Sequence, residues 1–120
     1  FDRFRLRIPV VGGLLRKVAV ARFARALGTL TKAGIQVVEA LRVVRDTLGN
    51  EAMARVVDGV RQRVLGGSSL EEPLRDCGQF PPLFVQVVSL GEKTGKLDEL
   101  LLRVAETLDK DVQTAVQRAM

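Results

Sequence analysis

The sequence predicts an all-α fold, a six-helix bundle built from two antiparallel three-helix halves. Three observations carry that prediction. Apolar residues recur at steps of three and four along most of the chain, which is the period of a helix with one buried face. Glycine-centred breaks interrupt that period at Gly34, Gly49, Gly66-Gly67, Gly78 and Gly91–Gly95, and short turns between helices make sequential neighbours antiparallel. The many valines fall at helical spacing rather than in alternation, so they do not argue for strands.

Residues 1–13, FDRFRLRIPVVGG, alternate apolar and basic residues before Pro9 and two glycines. They read as an extended or irregular lead-in, or at most a short helix. The first long helix is expected from about Leu14 to Lys32, with Ala19, Phe23, Ala26, Leu27 and Leu30 inward and Arg22, Arg25, Thr29 and Lys32 outward. Gly34 ends it. A second helix, about Gln36 to Leu48, carries Val37, Leu41, Val44 and Leu48 on one face. Gly49-Asn50 is a turn, and Asn50 is a natural N-cap because its side-chain oxygen can accept a free amide of the next helix.

The third helix, about Glu51 to Leu65, repeats the pattern with Met53, Val56 or Val57, Val60 and Val64, and Glu51 is placed to pair with Arg55. Ser69-Leu70-Glu71-Glu72 has the form of a capping box. Pro73 conflicts with it: with Ser69 as N-cap, its ring would press on the Ser69 carbonyl. The fourth helix (Leu70, Leu74, Cys77) is therefore short, with an unsettled start. Gly28 and Gly59 fall inside helices, where glycine costs about 1 kcal/mol against alanine. Either they permit close helix crossing or they are tolerated.

The rest of the chain is organised around residues 80–108. Pro81 and Pro82 open a fifth helix, since the first-turn amides have no partner in any case. That helix is apolar almost all round (Leu83, Phe84, Val85, Val87, Val88, Leu90), which predicts a central position walled in by others. It breaks at Gly91-Glu92-Lys93-Thr94-Gly95, where Gly91 and Gly95 are expected at positive φ and Glu92 caps its own turn. Lys96 or Leu97 then opens a sixth helix of roughly 24 residues, about 36 Å long. Leu97, Leu101, Val104, Leu108, Val112, Ala115 and Ala119 form its stripe. Glu99 with Arg103 and Glu106 with Lys110 stand at the favourable i,i+4 order, and Asp98 lies in the first turn, well placed against the helix dipole.

One hundred and twenty residues suit a single domain. No apolar run approaches the ~20 residues that span a bilayer. Phe1-Asp2-Arg3 has neither a start methionine nor the apolar stretch of a leader, as expected of a piece of a longer chain. The charge is uneven. Residues 1–38 hold Arg3, Arg5, Arg7, Arg16, Lys17, Arg22, Arg25 and Lys32 against Asp2 alone, a net of +7, and the remainder is slightly acidic. A basic segment of this kind suits nucleic acid, acidic partners or an anionic membrane surface.

Catalytic readings find little support. The chain has no histidine and one cysteine, so Cys77 lacks an activating partner and reads as a small apolar residue in a reducing compartment. Gly91-Glu92-Lys93-Thr94-Gly95-Lys96-Leu97 resembles a phosphate loop superficially, but it has three residues between its glycines, Leu97 where Ser or Thr would bind magnesium, and a helix before it instead of a strand. Glu92, Asp98 and Glu99 lack the spacing of a calcium loop. No cofactor or metal is expected. Without Trp or Tyr, stacking platforms for single-stranded nucleic acid are absent.

The segments ARFARALGTLTKAGIQVVEAL (21–41), LGN (48–50), GGSSL (66–70), CGQFPPL (77–83) and GEKTGKLDELL (91–101) together resemble one family over nearly the whole chain. It is the repeated cytoplasmic domain of the inner-membrane platform protein of type II secretion (protein F) and type IV pilus assembly (PilC). The lead-in before Ala21-Arg22-Phe23 resembles that of the second copy. Pro73 and Gln36 depart from the family pattern.

The resemblance implies a non-enzymatic scaffold. It would comprise a membrane-proximal lead-in (1–13) and a six-helix cytoplasmic domain (14–120), flanked by transmembrane helices outside this chain. It would dock the assembly ATPase and other inner-membrane components during pilin or pseudopilin polymerisation. Phe80, Pro81, Gly91, Glu92, Gly95, Leu97 and Asp98 form the structural and partner motif, and Arg16, Lys17, Arg22, Arg25 and Lys32 form a basic face. A weak homodimer is also expected. A small basic helical module that binds nucleic acid is the alternative, weakened by the lack of a helix-turn-helix or base-reading pattern.

Overall fold

The computed structural model describes the backbone of residues 2–119 and the side chains of residues 13–118. The described residues form six helices: α1 (Asp2–Lys32), α2 (Val37–Thr47), α3 (Glu51–Leu65), α4 (Glu71–Asp76), α5 (Pro82–Thr94) and α6 (Leu97–Ala119). Each packs on the next in sequence, and α6 returns to α1 in the broadest contact of the fold, so the helices close a ring. Two contacts at different heights fix α1 and α6 as antiparallel: Arg25 pairs with Asp109, and Gly28 abuts Leu101 and Leu102. Arg45 with Asp58, and the Arg61 guanidinium on the Val38 carbonyl, do the same for α2 and α3.

The core fills the ring. Phe23, Leu27, Leu41, Val44, Leu74, Phe84, Val88 and Leu101 are essentially inaccessible to water, each contributing about 1.5–3 kcal/mol by burial. At its centre the rings of Phe23, Phe80 and Phe84 meet with centroids 5.1, 5.2 and 6.0 Å apart. Phe23 from α1 thus meets Phe84 of α5 and Phe80 of the segment that leads into it, which joins the start of the chain to its last third.

Turn chemistry sets the boundaries. Gly34, Gly49, Gly67, Gly78 and Gly95 all take positive φ. Asn50 caps α3 by accepting the Met53 amide at 3.0 Å. The start of α4 lies one residue later than the capping-box pattern suggests. Leu70 is the N-cap, and the Ser69 hydroxyl accepts the Glu72 amide only at 3.4 Å. That shift resolves the Pro73 conflict: Pro73 becomes the third helical residue, whose amide would be unpaired in any helix.

Four expectations are corrected. The lead-in is not extended, because the backbone of residues 2–13 continues α1; its arginines and leucine are good helix formers, and the alternation is too short to outweigh them. Residue 1 lies outside the described residues. Helix α5 is not walled in, since Leu83 is 61% and Leu90 52% exposed; it packs on α4, on α6 and, through Phe84 against Phe23, on α1, which leaves its outer side open. Gly91 does not take positive φ, because α5 runs on through Glu92, Lys93 and Thr94. The pairs Glu51–Arg55, Glu99–Arg103 and Glu106–Lys110 do not form. Ion pairs join other partners instead, among them Arg25–Asp109, Arg45–Asp58 and Arg63–Asp76, as expected when an exposed i,i+4 pair offsets little of the entropy of holding two long side chains.

Candidate functional site

The segment that organised the sequence reading forms one continuous junction. Phe80, 7% exposed, anchors it in the core. Pro81 holds φ −59° and ψ 147° as the N-cap of α5, with Pro82 at the first helical position. Proline's fixed φ suits that entry, and its missing amide leaves nothing unsatisfied. Val85 then closes the first turn on the Pro81 carbonyl at 3.2 Å.

At the other end α5 meets α6 with almost no intervening chain. Gly95 lies in the left-handed region at φ +74°, and its amide and that of Lys96 both return to the Gly91 carbonyl. A Cβ added to Gly91 would sit 2.7 Å from the Leu97 Cα, closer than real side chains come. Gly91 is therefore required by close approach of backbone to backbone, and Gly95 by its dihedral angle. Leu97, half-buried, covers Gly91. The Asp98 carboxylate accepts the Glu99 amide at 2.8 Å within the first turn of α6, where a negative charge faces the positive end of the dipole.

Glu92 does not cap its own turn. Its two carboxylate oxygens accept the amides of Leu70 and Glu71 at 2.8 and 3.1 Å. A single side chain on α5 thus supplies the cap that α4 lacks locally and ties the two helices together. The partner lies 22 residues away, so no local pattern announces it. Gly28 was also undecided from sequence. A Cβ there would lie 3.0 Å from the Leu102 side chain and 3.1 Å from the Leu101 Cβ, so it belongs to the close α1–α6 crossing.

Beside the junction, a groove of about 740 Å³ runs between α4 and α5, floored by Phe80, Pro82, Val85 and Leu90. Lys93 stands at its edge, and Arg75 and Glu71 pair along its α4 wall at 2.8 Å.

The predicted basic residues do not form one free face. Arg22, Arg25 and Lys32 share a stripe, and Arg16 falls off it at 3.6 residues per turn. The Arg22 guanidinium donates to the Leu48 carbonyl at 3.2 Å, finishing α2, and Arg25 is held by Asp109. Arg16, Lys17 and Lys32 are exposed. The Cys77 thiol, half-buried, donates to the Leu74 carbonyl at 3.2 Å. The hydrogen bond and charge of Asp58 hold the Arg45 guanidinium above its ordinary pKa; it is charged at physiological pH with or without that shift.

Among the described residues no cluster of His, Cys, Asp and Glu gathers to hold a metal ion. No helix of the described residues is long and apolar enough to cross a membrane. The carboxylates of the junction are spent on backbone amides. What the arrangement provides is shape: a rigid helix–turn–helix corner, clamped to α4 by Glu92 and seated on α1 by three phenylalanines.

The sequence profile of the family described as "Type II secretion system (T2SS), protein F" matches residues 23–120. Similar proteins include the type IV pilus assembly protein PilC of Myxococcus xanthus, 38% identical over 116 residues, covering 97% of this chain and 28% of that protein. PilC of Thermus thermophilus is 40% identical over 116 residues, covering 96% and 29%. The type II secretion system protein F of Pseudomonas aeruginosa is 37% identical over 113 residues, covering 94% and 28%. The chain thus spans less than a third of the length of these relatives.

Proposed function

The chain belongs to the family of type II secretion system protein F, and from that premise we propose that it is a scaffold domain of a type II secretion or type IV pilus assembly machine. It works without catalysis, as the platform on which other assembly proteins, including the assembly ATPase, are positioned during polymerisation of pilin or pseudopilin subunits. It sits on the cytoplasmic face of the inner membrane, carried by membrane-spanning segments elsewhere in the longer protein. One observation carries the reading most directly. The residues that give the chain its family likeness (Phe80, Pro81, Gly91, Glu92, Gly95, Leu97, Asp98) build a fixed corner, and none presents an activated nucleophile or an acid–base pair. The basic N-terminal third supports cytosolic placement next to a membrane. A nucleic-acid module gains nothing from the structure, since Arg22 and Arg25 are engaged within the domain.

The test is genetic and biochemical together. Gly91→Val or Gly95→Val in the full-length protein should abolish secretion or piliation by deforming the corner. Purified domain should show no ATP hydrolysis; hydrolysis stopped by Lys96→Ala would contradict the scaffold reading. A platform functions as a multimer, so the domain should also associate weakly with itself. Sedimentation showing only monomer at high protein concentration would count against that.

A further inference from the structure

The α3 helix presents a second surface that the junction does not explain. Because α1 and α3 are not ring neighbours, a cleft of about 330 Å³ opens between them, lined by Leu15, Ala52, Met53 and Val56. Further along the same face of α3 a second cleft, about 300 Å³, is lined by Val56, Gly59, Val60, Pro73 and Cys77. Val56 lines both, so the two adjoin as one channel along α3 with an apolar floor.

Three features of this channel point outward. Leu15 is 58% exposed at its mouth, although it is an aliphatic side chain. Gly59 lies inside α3, where glycine weakens a helix, yet a Cβ built there meets nothing within 4 Å. Nothing in the domain needs that residue to be small, whereas Gly28 and Gly91 are pressed by neighbours. The rim is positive. Arg16, Arg55 and Arg63 line the channel against Asp76 alone, and Asp76 is taken by Arg63 at 2.7 Å. Neither Arg16 nor Arg55 has a carboxylate within ion-pair distance among the described residues.

We propose that this channel docks an amphipathic helix of another assembly protein, with its apolar stripe on Val56 and Gly59 and acidic residues on its flanks facing Arg16 and Arg55. The combination selects the occupant. An apolar, concave floor is wasted on a flat bilayer, and it offers no aromatic ring to a nucleic acid, whereas a helix laid in a groove uses both floor and rim. Charge complementarity then fixes register and speeds encounter. Gly59 lets the incoming backbone come close, as Gly28 does for α6.

The inference rests on the scaffold reading, and its test separates the two. A photo-crosslinking amino acid is placed at Ala52 in the full-length protein in its own host, and the adduct is identified by mass spectrometry. The expected adduct is a segment of another assembly protein with apolar residues at steps of three and four, flanked by Asp or Glu. Arg16→Glu with Arg55→Glu should lower its yield by about tenfold or more, as loss of close charge pairs does. Arg42→Glu, outside the channel, should leave the yield unchanged. Gly59→Leu should lower it equally while the domain melts at the same or a higher temperature. An adduct with lipid, nucleic acid, a second copy or a non-acidic segment, the absence of any adduct, or a yield indifferent to charge reversal would overturn the proposal. If deleting the gene abolishes assembly while these outcomes appear, the channel alone is wrong. If deletion leaves assembly intact, the scaffold reading is wrong.

Discussion

The α5–α6 junction and the outer face of α3 each contain a glycine inside a helix, and the two glycines have opposite meanings. A Cβ at Gly91 would stand 2.7 Å from the Leu97 Cα, so a larger residue fits only if the α6 backbone moves. Gly59 has open space around it. Around Gly91 the carboxylates are consumed internally, by Leu70 and Glu71 for Glu92 and by Glu99 for Asp98. Around Gly59 the arginines Arg16 and Arg55 remain exposed over an apolar floor. A region that the fold requires closes its polar groups on itself. A region kept for a partner leaves them open, at some expense in helix stability.

Substitutions grade that contrast. The largest effect is expected for Gly91→Val: its side chain cannot be placed without moving the α6 backbone, and overpacking of this kind costs about 3 kcal/mol. Urea unfolding of the domain should show the loss, and the full-length variant should fail in assembly. Gly95→Ala is expected to cost about 1–2 kcal/mol, the penalty of a Cβ at left-handed angles. It should leave circular dichroism unchanged, because the strain is confined to one residue. Glu92→Ala removes the distant cap of α4 and should cost about 1 kcal/mol, toward the low end because Glu92 is exposed and water replaces part of the loss. Glu92→Gln retains one accepting oxygen and should lose less. If Glu92→Gln blocks assembly at nearly unchanged stability, Glu92 touches a partner as well as α4. The smallest effect belongs to Arg25→Ala, whose pair with Asp109 is about half exposed and worth at most ~0.5 kcal/mol in salt.

Much of the fold is legible in the sequence, for local reasons. The bounds of α3, the Asn50 cap, the proline start of α5 and the opening of α6 at Leu97 all follow from residues within a turn of the boundary. What is not legible depends on distance. The partner of Glu92 is the amide pair at the start of the preceding helix, 22 residues earlier, and a carboxylate's reach across elements leaves no mark on periodicity. The role of Gly91 was read as a dihedral requirement because two glycines flank a break, but close approach of another backbone produces the same glycine. The bare side of α5 follows from the ring, in which a helix packs inward and on its neighbours rather than inside a surrounding shell. Predicted pairs such as Glu99–Arg103 were too weak to decide side-chain positions. The candidate channel on α3 was only half visible. Gly59 could be noticed in the sequence, but Leu15 from α1 and Cys77 from the end of α4 are set beside Val56 only by the fold.

The contrast between the two glycines is measured most directly by urea unfolding of Gly91→Ala and Gly59→Ala side by side. If the fold requires the first position and leaves the second for a partner, Gly91→Ala falls by about 1–3 kcal/mol from overpacking. Gly59→Ala then rises by about 1 kcal/mol, because alanine is the better helix former and meets no obstacle. Equal stabilities, or shifts of the same sign, would contradict the division of the molecule into a self-contained corner and an open docking face.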